Sequence, residues 1–190
     1  MIDQVLDFLL EELNAFFTRR RESLGGPPVV LANIVDQEGA VQEAVNDRVI
    51  LSLVNIEHES SARRTDFVTR SGDGSFAQGS PSLCLNLYLM VAVHFRDYKT
   101  GLLHLSNVIG FLQGKPVFTA QNAPAFPKGV EKVTFEMVSM NFQELSFLWG
   151  MLGAKYVPSI IYKVRMLTVQ EAWMTEEVPP IQQADAAMTS

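Results

Sequence analysis

Leu83-Cys84-Leu85-Asn86-Leu87-Tyr88-Leu89-Met90-Val91-Ala92-Val93-His94-Phe95 is the stretch whose reading decides the fold. Leu83, Leu85, Leu87, Leu89, Val91, Val93 and Phe95 alternate strictly, while Cys84, Asn86, Tyr88, Met90, Ala92 and His94 between them are mixed. Successive side chains of a strand point to opposite faces, so this spacing predicts a strand with one fully apolar side. It is the strongest strand signal in the chain and is expected at the centre of a sheet.

Working back towards the N-terminus, Ser60 to Ser80 is polar and rich in Gly, Ser and Arg. That is long for a structureless connection, so it reads as a hairpin arm or a functional loop. Before it, Val49 to Ile56 is apolar on both alternating faces, as expected of a strand inside a sheet. Val29 to Val35 predicts a short strand, and Asp36 to Asp47 gives no clear period. The first element is a helix: Ile2, Val5, Leu6, Leu9, Leu10, Leu13, Phe16 and Phe17 recur at three- and four-residue steps. Asp3 and Asp7 lie early and Arg19-Arg20-Arg21 late, as the helix dipole prefers, and Gly25-Gly26-Pro27-Pro28 ends it.

Working forward, Tyr98, Leu102, Leu105, Ile109 and Leu112 predict a second helix, stopped by Gly114 and Pro116. Val130 to Met140 alternates again, with Val133, Phe135 and Met137 facing one way and Lys132, Thr134 and Glu136 the other. Asn141 and Glu144 form a capping-box pattern for a third helix, whose stripe is Leu145, Leu148, Trp149 and Leu152 and which Gly153 closes. A last strand runs from Ser159 to about Val169, with Ile160, Tyr162, Val164 and Met166 on one side and Lys163 and Arg165 on the other. The order of elements predicts an α+β domain over residues 1–170, helices packed on a mostly antiparallel sheet, with an arm projecting at about 60–80. Residues 171–190 are acidic and contain Pro and Ala, a composition expected to be flexible when free.

Composition narrows the function classes. A chain of 190 residues with 47% apolar and 19% charged residues can build one ordinary globular core. Its one cysteine, Cys84, excludes an internal disulfide and a multi-cysteine zinc site. The longest wholly apolar run, Leu87 to Val93, falls far short of the ~20 residues a spanning helix needs. The start is no signal peptide, because Asp3 and Asp7 interrupt it, so a cytoplasmic site of assembly is expected. Of the net charge of −6, Glu171, Glu176, Glu177 and Asp185 contribute four. The nearly neutral body carries no electrostatic footprint for nucleic acid.

No constellation for catalysis emerges. Gly72-Asp73-Gly74-Ser75-Phe76-Ala77 fits G-x-G-x-x-A, but a polar arm precedes it and Gly79, Ser80 and Pro81 follow, so no helix N-terminus would meet a phosphate. It reads instead as the tip of a hairpin. His58, His94 and His104 have no metal-ligand spacing; His94 and His104 read as structural, and His58, flanked by Glu57 and Glu59, as a solvated strand end. No catalytic, cofactor-binding or metal-binding residue is therefore assigned. The residues that stand out are Arg63, Arg64, Phe67, Arg70 and Phe76 in the arm, aromatics beside cations of the kind that anchor partners, and Trp173 in the acidic tail, a lone aromatic that anchors such a segment either to its own body or to a partner.

Several blocks together resemble a known family. They are Met1-Ile2-Asp3-Gln4-Val5-Leu6 with Glu12-Leu13-Asn14, then Leu51-Ser52-Leu53-Val54-Asn55-Ile56-Glu57 and Leu85-Asn86-Leu87-Tyr88. Leu105-Ser106 leading to Gln113, Pro116-Val117-Phe118-Thr119 and Leu148-Trp149 continue the set. Lys155, Tyr156, Pro158, Ser159 and Tyr162-Lys163-Val164-Arg165-Met166 complete it. The ordered set is similar to cap proteins of extracellular contractile injection systems, of the antifeeding-prophage and virulence-cassette type. The resemblance implies a tail-terminator-like fold, a homo-oligomeric ring of six, and contacts with tube and sheath subunits at the baseplate-distal end of the particle. It implies no cofactor and no catalysis. The alternatives are the terminator of a contractile phage, which would also join a head, and, from a different class, a small cytoplasmic enzyme or ligand-binding domain.

Overall fold

The computed structural model describes residues 1–20, 26–36, 38–59, 68–70, 76–78 and 84–168. The central stretch forms strand β5, Cys84–His94. It lies inside a six-stranded sheet of order β1-β2-β5-β8-β7-β6, with β1 Val29–Leu31, β2 Arg48–His58, β6 Val117–Phe118, β7 Val130–Val138 and β8 Ser159–Thr168. Only β1 and β2 run parallel; every other neighbouring pair in this sheet is antiparallel. The domain is α+β, as the sequence predicts, with helices α1 Ile2–Arg19, α2 Tyr98–Gly114 and α3 Phe142–Leu152.

The strand period sorts side chains into two cores. On one face Val49, Leu51, Leu87, Leu89, Val91, Val93, Tyr162, Val164 and Met166 meet α1 and α2. On the other, Ile50, Met90, Ala92 and Ile161 meet Trp149 of α3. Met90 and Ala92, two of the mixed residues between its leucines, thus serve the smaller core, so the middle of β5 is covered on both faces. Burial of side chains of this size stabilises by roughly 1.5–3 kcal/mol each, which is why the alternation dominates the reading.

Helix α1 buries Val5, Leu6, Phe8, Leu9, Leu13 and Phe17. Phe8 lies outside the predicted stripe, yet its ring meets Phe118 and Phe126 edge-on at 5.4 Å each. Asn14 fixes β1 from the helix side: its Nδ2 donates to Val29 O at 3.1 Å and its Oδ1 accepts from Val29 N at 3.0 Å. The predicted strand at Val29 to Val35 is shorter than expected, since after Leu31 only a single bridge, Val35 to Val41, remains. The intervening turn is held by the Asp36 carboxylate, which accepts from Glu38 N and Ala40 N.

The expected stripe of α2 is corrected by the structure. Leu105 and Leu112 are buried, but their companions are Gly101, His104 and Val108. Tyr98 and Leu102 face out, together with Leu103. The helix turns a small residue, Gly101, against the Phe95 ring, which rotates its outer residues away from the core. His104 sits between Phe17 and Phe95, with ring centroids at 5.3 and 4.8 Å, and its Nδ1 lies 2.9 Å from Thr100 O. It is a packed core residue.

Candidate functional site

Helix α3 supplies the most unusual surface among the described residues. Asn141 starts it with a complete capping box: Oδ1 accepts from Gln143 N and Glu144 N, and Glu144 accepts from Asn141 N, each at 2.9 Å. Gly153 ends it at φ 66°, a left-handed conformation that suits a residue without Cβ. Leu145, Leu148, Trp149 and Leu152 face the sheet as predicted. The opposite side is apolar too. Phe142 is 92% exposed, Phe147 67% and Met151 70%, and Tyr156 just beyond the helix is also exposed. A helix that is apolar all round is normally covered all round. Exposed aromatic and Met side chains at this density mark an interaction surface.

A groove of about 620 Å³ runs along one flank of α3. Leu148 and Met151 form its wall, Tyr88 and Ile161 its floor, and Val138 to Met140 its end; Val54, Asn55, Glu57 and Glu144 complete it. Its floor depends on an irregularity in β2. Between Leu53 and Asn55 the register with β5 shifts, so that Asn55 stands opposite Tyr88 and Glu57 opposite Asn86. Polar residues thereby join the face that carries α3. This also corrects the reading of Val49 to Ile56 as apolar and enclosed on both sides: Val49 to Leu51 are fully buried, whereas Ile56 is exposed.

From the floor of the groove outward, the same face is a polar lattice. Tyr88 donates its hydroxyl to Glu57 at 2.9 Å, and Asn86 Nδ2 donates to Glu59 at 2.9 Å. Lys163 lies 4.0 Å from Glu59 and Arg165 lies 3.5 Å from Glu136. The bond to Glu57, with partial burial and the charges of Glu57 and Glu59, raises the Tyr88 phenol above its ordinary value. Tyr162, on the opposite face, is raised by burial. These pairs are structural in character: none converges with a nucleophile and a base on one reacting position. Among the described residues there is no group of three or more His, Cys, Asp or Glu placed to hold a metal ion, and no helix is long and apolar enough to cross a membrane.

The candidate residues from the sequence divide between described and undescribed segments. Arg70 and Phe76 lie on two short strands, β3 Val68–Arg70 and β4 Phe76–Gln78, and pair with each other in an antiparallel ladder. A strand thus occupies the position where the G-x-G-x-x-A pattern would need a helix. Arg63, Arg64, Phe67 and Trp173 lie outside the described residues, as does the 171–190 tail. The α3 surface itself was missed. The signal was present, because Phe142, Phe147 and Met151 interrupt the polar side of an otherwise ordinary amphipathic pattern.

The sequence family described as the Pvc16 N-terminal domain matches residues 4–183. Two solved structures share the fold. One is the sheath/tube terminator, in the extended state, of an extracellular contractile injection system called PVC. It has a TM-score of 0.59 and 13% identity over 100% of this chain and 65% of its own. The other is the tube-terminating cap of the anti-feeding prophage, with a TM-score of 0.52 and 14% identity over 82% of this chain and 56% of its own. The chain thus spans less than two thirds of the length of either structure. No curated protein sequence matches it.

Proposed function

The chain belongs to the Pvc16 N-terminal domain family, and from that membership we propose that it is a structural terminator of a contractile injection particle, closing tube and sheath at the baseplate-distal end. The family match along nearly the whole chain carries this reading, and the shared fold with two terminators supports it. The chemistry agrees. A tube or sheath is an open polymer whose last subunits present unsatisfied interfaces, and a closed head-to-tail ring can match them on one side while offering nothing on the other. In this reading the chain assembles as a ring of six, and acts by shape without turning over a substrate.

The arm carrying Arg63, Arg64, Phe67, Arg70 and Phe76, and the tail around Trp173, are the proposed contacts to sheath and tube. Backbone pairing of Arg70 with Phe76 supports an arm built as a hairpin, a form that can add to a neighbour's sheet edge. Deleting Arg63 to Gly79 is the test. The expected product is a folded protein that leaves particles uncapped, with irregular ends and lengths in electron micrographs. Particles of normal length and capping from that deletion overturn the assignment.

A further inference from the structure

We propose that the groove beside α3 is a docking site for a cationic, apolar polypeptide segment of another protein. Its wall and floor are apolar through Val54, Val138, Leu148, Met151 and Ile161. Its charged lining residues are Glu57 and Glu144, and no Lys or Arg lines it. Both carboxylates are oriented by neutral donors. Glu57 accepts from the Tyr88 hydroxyl at 2.9 Å and from Asn55 Nδ2 at 3.5 Å, and Glu144 accepts from Asn141 N at 2.9 Å. Neither has a cationic partner among the described residues. The lattice next to it differs, since its carboxylates Glu59 and Glu136 lie beside Lys163 and Arg165. The groove is therefore preorganised negative charge beside an open apolar channel, and its complement is an apolar segment bearing Lys or Arg.

The rim supplies the anchoring surface. Phe147 and Met151 stand exposed along the helix, and such side chains dominate binding energy when a partner covers them. One edge of the site is also open for main-chain bonding. Strand β6 reaches only Val133 and Thr134 of β7, and no described strand pairs with the outer edge of β7 from Glu136 to Val138, next to the end of the groove. An extended segment could bond there and place alternate side chains into the channel. The acidic 171–190 tail of the chain is the wrong sign for this site. Occupancy of the groove stands whether or not the ring reading holds.

The test uses the full chain and a fluorescein-labelled peptide of alternating Leu and Lys, followed by fluorescence anisotropy. Matched Leu/Glu and Ser/Lys peptides serve as controls. The Leu/Lys peptide is expected to bind saturably and the controls at least tenfold more weakly. Glu57→Gln and Glu144→Gln should each weaken binding about tenfold, Gln being acceptable in the capping box. Met151→Asp should abolish binding, while Glu38→Gln, in the Asp36 turn and not among the residues lining the groove, should leave it unchanged. Equal binding of the Leu/Glu peptide, or indifference to Glu57→Gln, Glu144→Gln and Met151→Asp together, overturns the proposal. So does self-association of the chain that closes the groove and is abolished by Met151→Asp, which would make a second copy the occupant.

Discussion

Trp149 is the residue on which the smaller core depends. It is 6% exposed and packs with Ile50, Met90, Ala92 and Ile161, with the Tyr156 ring 5.5 Å away edge-on. Trp149→Ala is expected to cost about 3–5 kcal/mol by leaving a cavity that the rigid sheet cannot refill. Trp149→Phe should cost much less, because the buried indole Nε1 has no hydrogen-bond partner to lose. Urea denaturation midpoints measure both. Asp97 sets a pH dependence. As N-cap of α2 it accepts from the Thr100 hydroxyl and, at 2.9 Å, from Thr100 N, and these bonds, in that order, hold its carboxyl below its ordinary value of 3.8. A depressed folded-state value means the contribution is fully present above 3.8 and is lost as pH falls below it through the folded-state value. Asp97→Asn should flatten that part of the acid limb, as read from denaturation midpoints between neutral pH and pH about 3. At this scale the sequence is legible where burial and period coincide, as for Trp149. It is not legible for Phe8, whose burial is decided by Phe118 and Phe126 from distant segments.

Helix α3 shows how far a single element can be read. Its start, its stop and its inward stripe all follow from local chemistry: an Asn with Glu three residues on, a Gly at a left-handed turn, and leucines at helical spacing. Asn141→Ala is expected to cost about 1 kcal/mol, since it orphans two backbone donors. Gly153→Ala should cost a similar amount, about 1 kcal/mol, through backbone strain alone, because no atom lies within 4 Å of where its Cβ would stand. Thermal melts with hydrogen exchange across residues 141–153 would localise both losses to this helix. The stripe of α2 was less legible. Periodicity counts leucines and tyrosines as core candidates, whereas the tertiary contact with Phe95 selects glycine and histidine for the inner face. The shift in β2 at Leu53 to Asn55 was equally hidden, because one displaced residue leaves composition unchanged while reversing which side chains meet solvent.

For the whole molecule, the fold class and the central position of β5 were readable because strict alternation over so many residues suits a long strand and little else. The parallel β1–β2 pair and the placement of α3 on the face opposite α1 and α2 were not, since both are decided by contacts between segments far apart in the chain. That placement leaves exposed apolar residues on both sides: Phe142, Phe147 and Met151 on α3, and Tyr98, Leu102 and Leu103 on α2. If the chain forms a ring, the α2 patch is one exposed apolar surface among the described residues that can serve its lateral contact. Tyr98→Asp with Leu103→Asp should then reduce self-association in analytical ultracentrifugation while leaving the melting temperature nearly unchanged, since both side chains are exposed.

The place of β8 has a consequence for how this protein comes to exist. It joins β5 to β7 in the interior of the sheet, yet it is the last described strand in the chain. A polypeptide emerging from a ribosome holds β2 and β5 on one side and β6 and β7 on the other, with nothing to stitch them together. Closing the gap requires the segment from Phe95 to Pro158 to form one long loop, an arrangement that slows folding and postpones cooperativity. Nascent chains should therefore remain two unjoined halves until translation has passed Thr168, so that an early-terminated product would lack a continuous sheet.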